Sequence, residues 1–189
     1  MLNNDINHEL IFVNITIKKP NCLKKIMKRT EKQAIYKTAQ REINAVLMGE
    51  SQMILKMATI NSILKQYFPH FFWVGFYCVH NNALMVGPYQ GSLGCLHIPF
   101  SKGVCGRAAR LETTQIVFDV HADPEHVACD ARTNSEIVVP VFDQNAKLIA
   151  IFDVDSTEYG SFDEIDQAFL EEIIHTQFAV AALVESFIA

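Results

Sequence analysis

The sequence predicts an α+β domain, an antiparallel sheet flanked by helices. Three observations carry this. Apolar residues recur with a helical period between Thr30 and Tyr67, and the pattern changes to extended, alternating runs after Pro69. It returns to a helical period from Phe162 onward. Helices first, then a strand-rich middle, then a helix is the order of an α+β fold.

The first helix opens near Thr30, which with Gln33 has capping-box spacing, and carries the stripe Ile35, Ala39, Ile43, Val46 and Leu47. Gly49 and Ser51 punctuate. The second helix carries Met53, Ile54, Met57, Ile60, Ile63, Leu64 and Tyr67, and Pro69 stops it. Strand-like runs follow at 71–79, 83–87, 94–99, 114–120, 135–142 and 147–154, separated by turn formers such as Asn81-Asn82, Gly91 and Asp143-Gln144-Asn145. Gly103 to Leu111 reads as a short helix between strands. Phe162 to Ile188 reads as a long one.

The chain has 189 residues, of which 50% are hydrophobic and 20% charged, so it is neither disordered nor fibrous. This is one domain's length. Residues 1–26 are rich in Asn, Lys and Ile, lack a sustained period and read as an N-terminal extension, with the folded domain at 27–189. The net charge of −5 disfavours a nucleic-acid partner. No apolar run approaches the roughly 18 residues of a membrane span. Ile11 to Ile17 is short and preceded by Asp5 and His8, unlike a signal peptide. A cytoplasmic location is expected. There the five cysteines (22, 78, 95, 105 and 129) are free, catalytic or metal-binding rather than permanent staples.

Strand parity sorts the residues that carry chemistry. In 71–79, Phe72, Val74, Phe76 and Cys78 form an apolar face, with Cys78 an inert core thiol. Trp73, Gly75 and Tyr77 form the other face, either a pocket wall or a second core. In 147–155, Leu148, Ala150, Phe152 and Val154 share one face. Ile149, Ile151, Asp153 and Asp155 share the other. Asp153, set between Phe152 and Val154, needs a compensating partner if buried. The alternative is that both acids cap the turn 156–160. Glu136 is a third acid in an apolar run, either a site residue or an edge position open to water.

Cys105 stands at a helix start near Lys102 and Arg107, which can lower a thiol pKa. Cys129 lies in an exposed loop, 123–134, near His126 and Arg132. Zinc held by Cys95, His97, Cys105, His126 and Cys129 is disfavoured, because no cysteine pair has zinc-site spacing, and no metal is expected. Small buried hydrophobes or a redox-active thiol set remain.

Motifs in order along the chain decide further: Trp73-Val-Gly-Phe-Tyr77, Leu84-x-Val-Gly-Pro-Tyr-Gln-Gly91, Cys95, Gly103-Val-Cys-Gly106, Asp119-Val, His126-Val-Ala-Cys-Asp130, Asn134-Ser-Glu-Ile-Val-Val-Pro140 and Phe152-Asp-Val-Asp-Ser156. Together, over residues 30–185, they resemble the free methionine-(R)-sulfoxide reductases, a catalytic branch of the GAF domain family. One departure is Pro124-Glu125 before His126, where the family commonly has Gly. The resemblance implies a central antiparallel sheet with helices on both sides. It implies Cys129 as nucleophile, Cys95 and Cys105 as the recycling thiols, and Glu136, Asp153, Asp155, Trp73 and Tyr77 as the substrate site. Thiol reduction of free methionine (R)-sulfoxide would leave a sulfenic acid on Cys129, then an intramolecular disulfide. No cofactor would be bound, and thioredoxin, fed indirectly by NADPH, would be the reductant. The order in which Cys95 and Cys105 act stays open. So does the acid that supplies the proton. The rival class is a non-catalytic small-molecule sensor or a dimerisation module. A homodimer is compatible with either, since the stripe on the first two helices serves a partner helix or the core equally well.

Overall fold

The computed structural model describes residues 28–179; residues 1–27 and 180–189, on which the extension and the last part of the expected 162–188 helix fall, lie outside the described residues. The first helix, α1 (Arg29–Val46), buries Lys32, Tyr36, Ala39 and Ile43, one residue per turn or so along a single face. The Thr30–Gln33 capping box is not made. The Lys28 carbonyl already accepts the Glu31 and Lys32 N–H groups, so Thr30 lies inside the first turn rather than at its cap. Helix α2 (Met53–Tyr67) turns back after Gly49 and ends before Pro69, as its stop signal requires.

Six strands follow: β1 (Trp73–His80), β2 (Ala83–Gln90), β3 (His97–Pro99), β4 (Gln115–Val117), β5 (Ser135–Phe142) and β6 (Leu148–Ser156). They form one antiparallel sheet in the order β3-β2-β1-β6-β5-β4. The β1–β2 turn is Asn81-Asn82, both with positive φ (47° and 59°), the backbone that a tight two-residue hairpin demands. The expected strands at 94–99 and 114–120 shorten to three residues each, at the two edges of the sheet. Helix α3 (Gly103–Leu111) stands where expected. The last helix, α4 (Glu164–Phe178), starts on a capping box made by Asp163 and Asp166.

Helices α2 and α4 cover one face of the sheet, α1 packs on both of them, and α3 lies on the opposite face. The helical side holds the main core, including Tyr36, Ile43, Met57, Ile60, Leu64, Phe68, Val74, Phe76, Phe152, Ile173 and Phe178. Most of the stripe on α1 and α2 is thus spent on intramolecular packing. Val46, Met48, Ile54 and Leu55 stay exposed at the corner between these helices. A buried polar cluster locks α1 to α4: Lys32 pairs with Asp166, and the Tyr36 hydroxyl donates to Asp166 Oδ1 at 2.8 Å.

The opposite face holds a smaller core that includes Trp73, Tyr77, Ile98, Val104, Ala108, Val138 and Ile151. Parity along β1 and β6 holds except at two points. Phe72 precedes β1 and joins the smaller core, under the Arg132 guanidinium at 4.6 Å. Leu148 and Ile149 exchange faces, because a register shift between Val141 and Phe142 inserts one extra residue beside β5. Among the described residues no helix is long and apolar enough to cross a membrane.

Candidate active site

The face of the sheet away from the main core builds a cavity of about 490 Å3, its mouth included, between the strands, α3 and the loop 119–134. Register sets the first row of its floor. Trp73 on β1 pairs with Asp155 on β6, and Asp155 pairs with Glu136 on β5. One row on, Gly75 pairs with Asp153, which pairs with Val138. The three acids thus share one face because their strand positions share one parity.

Trp73 forms the aromatic wall. Its ring stacks on Tyr77 at 5.6 Å and on Tyr89 at 5.3 Å, and its Nε1–H donates to the Ser92 carbonyl at 3.1 Å. Two glycines make room for it. A Cβ on Gly75 would stand 2.4 Å from Tyr89 Cβ and 2.6 Å from the Trp73 ring. A Cβ on Gly91, at φ +143°, would stand 2.5 Å from that ring. Trp73 and Tyr77 therefore belong to both alternatives read from the sequence: they are buried core residues whose edges line the cavity.

Glu136 and Asp153 are buried, and Asp155 is half-buried toward the cavity. The Cys105 sulfur and one carboxylate oxygen each from Glu136 and Asp153 all lie within 4.8 Å of one another. Among the described residues no lysine or arginine lines this space. Burial pushes all three carboxyls above the usual carboxylate range. Mutual repulsion with Glu136 adds to this at Asp153, and repulsion by Asp153 and Glu136 adds to it at Asp155. Asp153 Oδ1 has no hydrogen-bond partner among the described residues. Thr133 lines the cavity with Asp155 and partly offsets the rise there. Neither aspartate caps the turn after β6; Ser135, Ser156 and Ser161 hold that turn through bonds of 2.6–3.2 Å. Glu136 is not at a wet edge either, since β5 runs between β4 and β6.

The roof is the loop 119–134, which is pinned along its length. Arg107 on α3 donates twice to Asp123, at 3.0 and 2.6 Å. Arg110 holds Glu125 at 2.9 Å, so the residue that departs from the family pattern ties the loop to α3. His126 Nδ1 lies 3.2 Å from Glu136 Oε1. Asp130 accepts from Ser92 at 2.5 Å and from Arg132, which holds its carboxyl well below the usual range. Cys129, at the cavity rim, is joined to Cys95 by a disulfide with Cα atoms 5.2 Å apart. Spacing along the chain gave no hint that these two sulfurs meet.

Cys105 differs from both. It is buried and forms no disulfide, and its sulfur lies beside an Asp153 carboxylate oxygen. The lowered pKa expected at this helix start is overturned: burial, then the adjacent Asp153, Glu136 and Asp155, pushes the thiol well up. Helix α3 turns this side chain toward carboxylates rather than toward Lys102 or Arg107. Cys78 sits in the main core, its thiol pushed up to about 11 by burial. Cys22 lies outside the described residues. The five residues weighed for zinc do not form one ligand set, because Cys95 and Cys129 are spent on each other. The sequence reading missed the placement of His126 and Thr133 in the cavity wall. Only the position of His126, three residues before Cys129 in the same motif, signalled it.

These features define a GAF domain with a thiol-and-carboxylate site. The model of the GAF domain family matches residues 62–179. The GAF domain-containing protein A of Dictyostelium discoideum is 42% identical over 76% of this chain and 90% of its own length. The free methionine-R-sulfoxide reductase of Escherichia coli is 36% identical over 78% and 87%, respectively. The crystal structure of free methionine-R-sulfoxide reductase from Neisseria meningitidis with its substrate aligns with a TM-score of 0.74. It is 38% identical and covers 77% of this chain and 87% of that one. The chain belongs to the free methionine-R-sulfoxide reductases of the GAF family, and it is an oxidoreductase acting on sulfur.

Proposed function

We propose that the protein reduces free L-methionine (R)-sulfoxide to methionine with Cys129 as nucleophile. The observation that carries this reading is the Cys95–Cys129 bond at the rim of a cavity floored by Glu136, Asp153 and Asp155. The Cys129 thiolate attacks the sulfoxide sulfur, and the oxygen takes a proton and ends on Cys129 as S–OH. The cysteine sulfur is oxidised by two electrons and the sulfoxide sulfur is reduced by two. The Cys95 thiol then displaces water and forms the disulfide. Cys105, buried beside Asp153, acts later or only shapes the pocket.

The carboxylates supply what a free amino acid brings and a peptide lacks, a counter-charge for its ammonium. The unpartnered Asp153 Oδ1 supports this role, because burying it without a cation is costly. Trp73 and Tyr77 offer the S-methyl group an apolar wall. A thioredoxin-type dithiol, kept reduced by NADPH, resets the disulfide. The cytoplasm suits that supply, and no cofactor need be bound. The domain spans 27–189, with 1–26 an extension. Homodimer formation is part of the proposal, tested by sedimentation equilibrium. A non-catalytic sensor would have no use for the disulfide.

The test follows NADPH loss with thioredoxin, its reductase and three substrates. Turnover confined to the free R epimer is the expected result. Turnover of an N-blocked analogue as well would remove ammonium recognition. Absence of turnover by folded, pre-reduced protein would overturn the enzymatic reading.

A further inference from the structure

The three acids on the cavity floor differ in what they touch. Asp153 meets the Cys105 thiol and leaves one oxygen unpartnered. Asp155 shares the cavity lining with Thr133. Glu136 alone of the three contacts an imidazole, His126 Nδ1 at 3.2 Å. The His126 side chain is 14% exposed and that of Glu136 is 6% exposed, so the ring is the outer member of the pair. Imidazole is the side chain that ordinarily gives and takes protons between about pH 5 and 8. The contact works in both directions: Nδ1–H donates to a carboxylate, or a Glu136 acid donates to a bare Nδ1.

We propose that His126 is the proton relay of this site, recharging Glu136 from solvent so that the Glu136 carboxyl protonates the departing sulfoxide oxygen. This rests on the reductase reading above and adds which acid donates and what refills it. The balance is simple. One Cys129 thiolate, one sulfoxide and one proton give one sulfenic acid and one thioether. The proton leaves Glu136 and is replaced through the ring.

The surroundings suit the role. Asp123 on the same loop is held by Arg107 and acts on the imidazole through space, and Asp130 beyond it is held by Arg132. On the inner side lie Glu136 of β5, then Asp153 and Asp155 of β6, with Cys105 of α3 beside them. Arg107 of α3 also acts on Glu136 through space. The loop is fixed on both sides of His126, by Asp123 and Glu125 before it and by Asp130, which Ser92 holds, after it. These tethers do not depend on the redox state of Cys129, so they hold the ring against Glu136 in the reduced enzyme as well. Among the positions of the motif His126-Val-Ala-Cys-Asp130, the first is used for proton traffic and the fourth for attack.

The test measures multiple-turnover reduction of the free R-sulfoxide at dithiothreitol concentrations where the rate no longer depends on the dithiol, so that Glu136 must be refilled in every round. His126→Asn keeps a donor near the Nδ1 position but cannot ferry protons. It is expected to lose about 10-fold or more in rate, within the range that general acid catalysis supplies. Substrate affinity stays within about 3-fold, as expected for a step confined to the transition state. The wild-type rate falls toward high pH, where the donor is empty, and this limb moves in His126→Asn. His126→Ala loses rate too and regains it with added imidazole. Wild-type rate and pH profile in His126→Asn would overturn the relay. So would a His126→Ala defect that imidazole leaves unchanged in a folded protein. Inactive wild type overturns the reductase reading instead, which keeps the two failures distinct.

Discussion

At the scale of single residues, the acids and thiols of the cavity differ in burial and partners, and the duties proposed for them can be separated by substitution. Asp153 carries an oxygen that nothing in the described protein satisfies. Asp153→Asn removes the cost of that buried charge and is expected to raise stability at neutral pH by on the order of 1 kcal/mol, read by denaturant titration. The same change is expected to raise KM for the free sulfoxide by about 10-fold or more, since charged hydrogen bonds contribute about 1.5–3 kcal/mol. Opposite signs in one variant are the mark of a residue kept for binding rather than for folding. The cysteines separate as cleanly. Cys129→Ser is expected to abolish reduction, and Cys95→Ser to stop after one turnover with Cys129 held as a dimedone-reactive sulfenic acid. Cys105→Ser is expected to form the Cys95–Cys129 bond still, read by intact mass. Much of this was legible in the sequence. The parity of Asp153 and Asp155 put both on one face, and Glu136 stood out in an apolar run. The pairing of Cys95 with Cys129 was not, because residues 34 positions apart meet only through the fold. The direction of the Cys105 shift was also misread, since neighbours in sequence are not the neighbours that set a pKa.

At the scale of elements, the loop 119–134 carries one short 3-10 turn (Val120–Ala122) and is tethered at several points. Its anchors, Arg107 and Arg110, sit one turn apart on α3, while His126 and Cys129 take it to the floor and to Cys95. Arg107→Met is expected to free Asp123, at a cost of about 2 kcal/mol for charge-assisted hydrogen bonds in a partly buried pair. Faster amide exchange across 119–134 and slower disulfide formation would register it. Unchanged exchange there would mean that the remaining tethers suffice. The elements were the most readable level of the sequence: α2, α3 and β5 stand within the expected bounds. Misreadings cluster where tertiary contacts intervene. Examples are the uncapped start of α1, and Leu148 and Ile149, which exchange faces at the register shift.

At the scale of the whole molecule, the sheet divides a large core from a small one, and the buried acids sit in the small one. Their folded pKa values are raised, so the stability linked to them is complete below the ordinary carboxylate range near pH 4. It is lost as pH rises through the folded values. Asp123 and Asp163 are lowered by Arg107 and by helix-cap and Lys32 bonds, respectively. Their contribution is lost in the other direction, as pH falls below that range. The melting temperature is therefore expected to peak in mild acid and decline toward pH 8. Asp153→Asn and Glu136→Gln should flatten the alkaline decline without touching the acid one.

The tie between Cys95 and Cys129 encloses β3, α3 and β4, with a sequence separation of 34. Closing a loop of that size is worth about 4 kcal/mol in the chain-entropy account. Each catalytic round would then fasten and release a buckle across the small core. The form waiting for an electron donor would be the tough one, and the form ready to work the soft one. Limited proteolysis of the two redox states, matched for concentration, would show it as cleavage favouring the reduced protein within 95–129. A cell short of dithiol would store its enzyme in the durable state, and the supply of reductant would set lifespan as well as turnover.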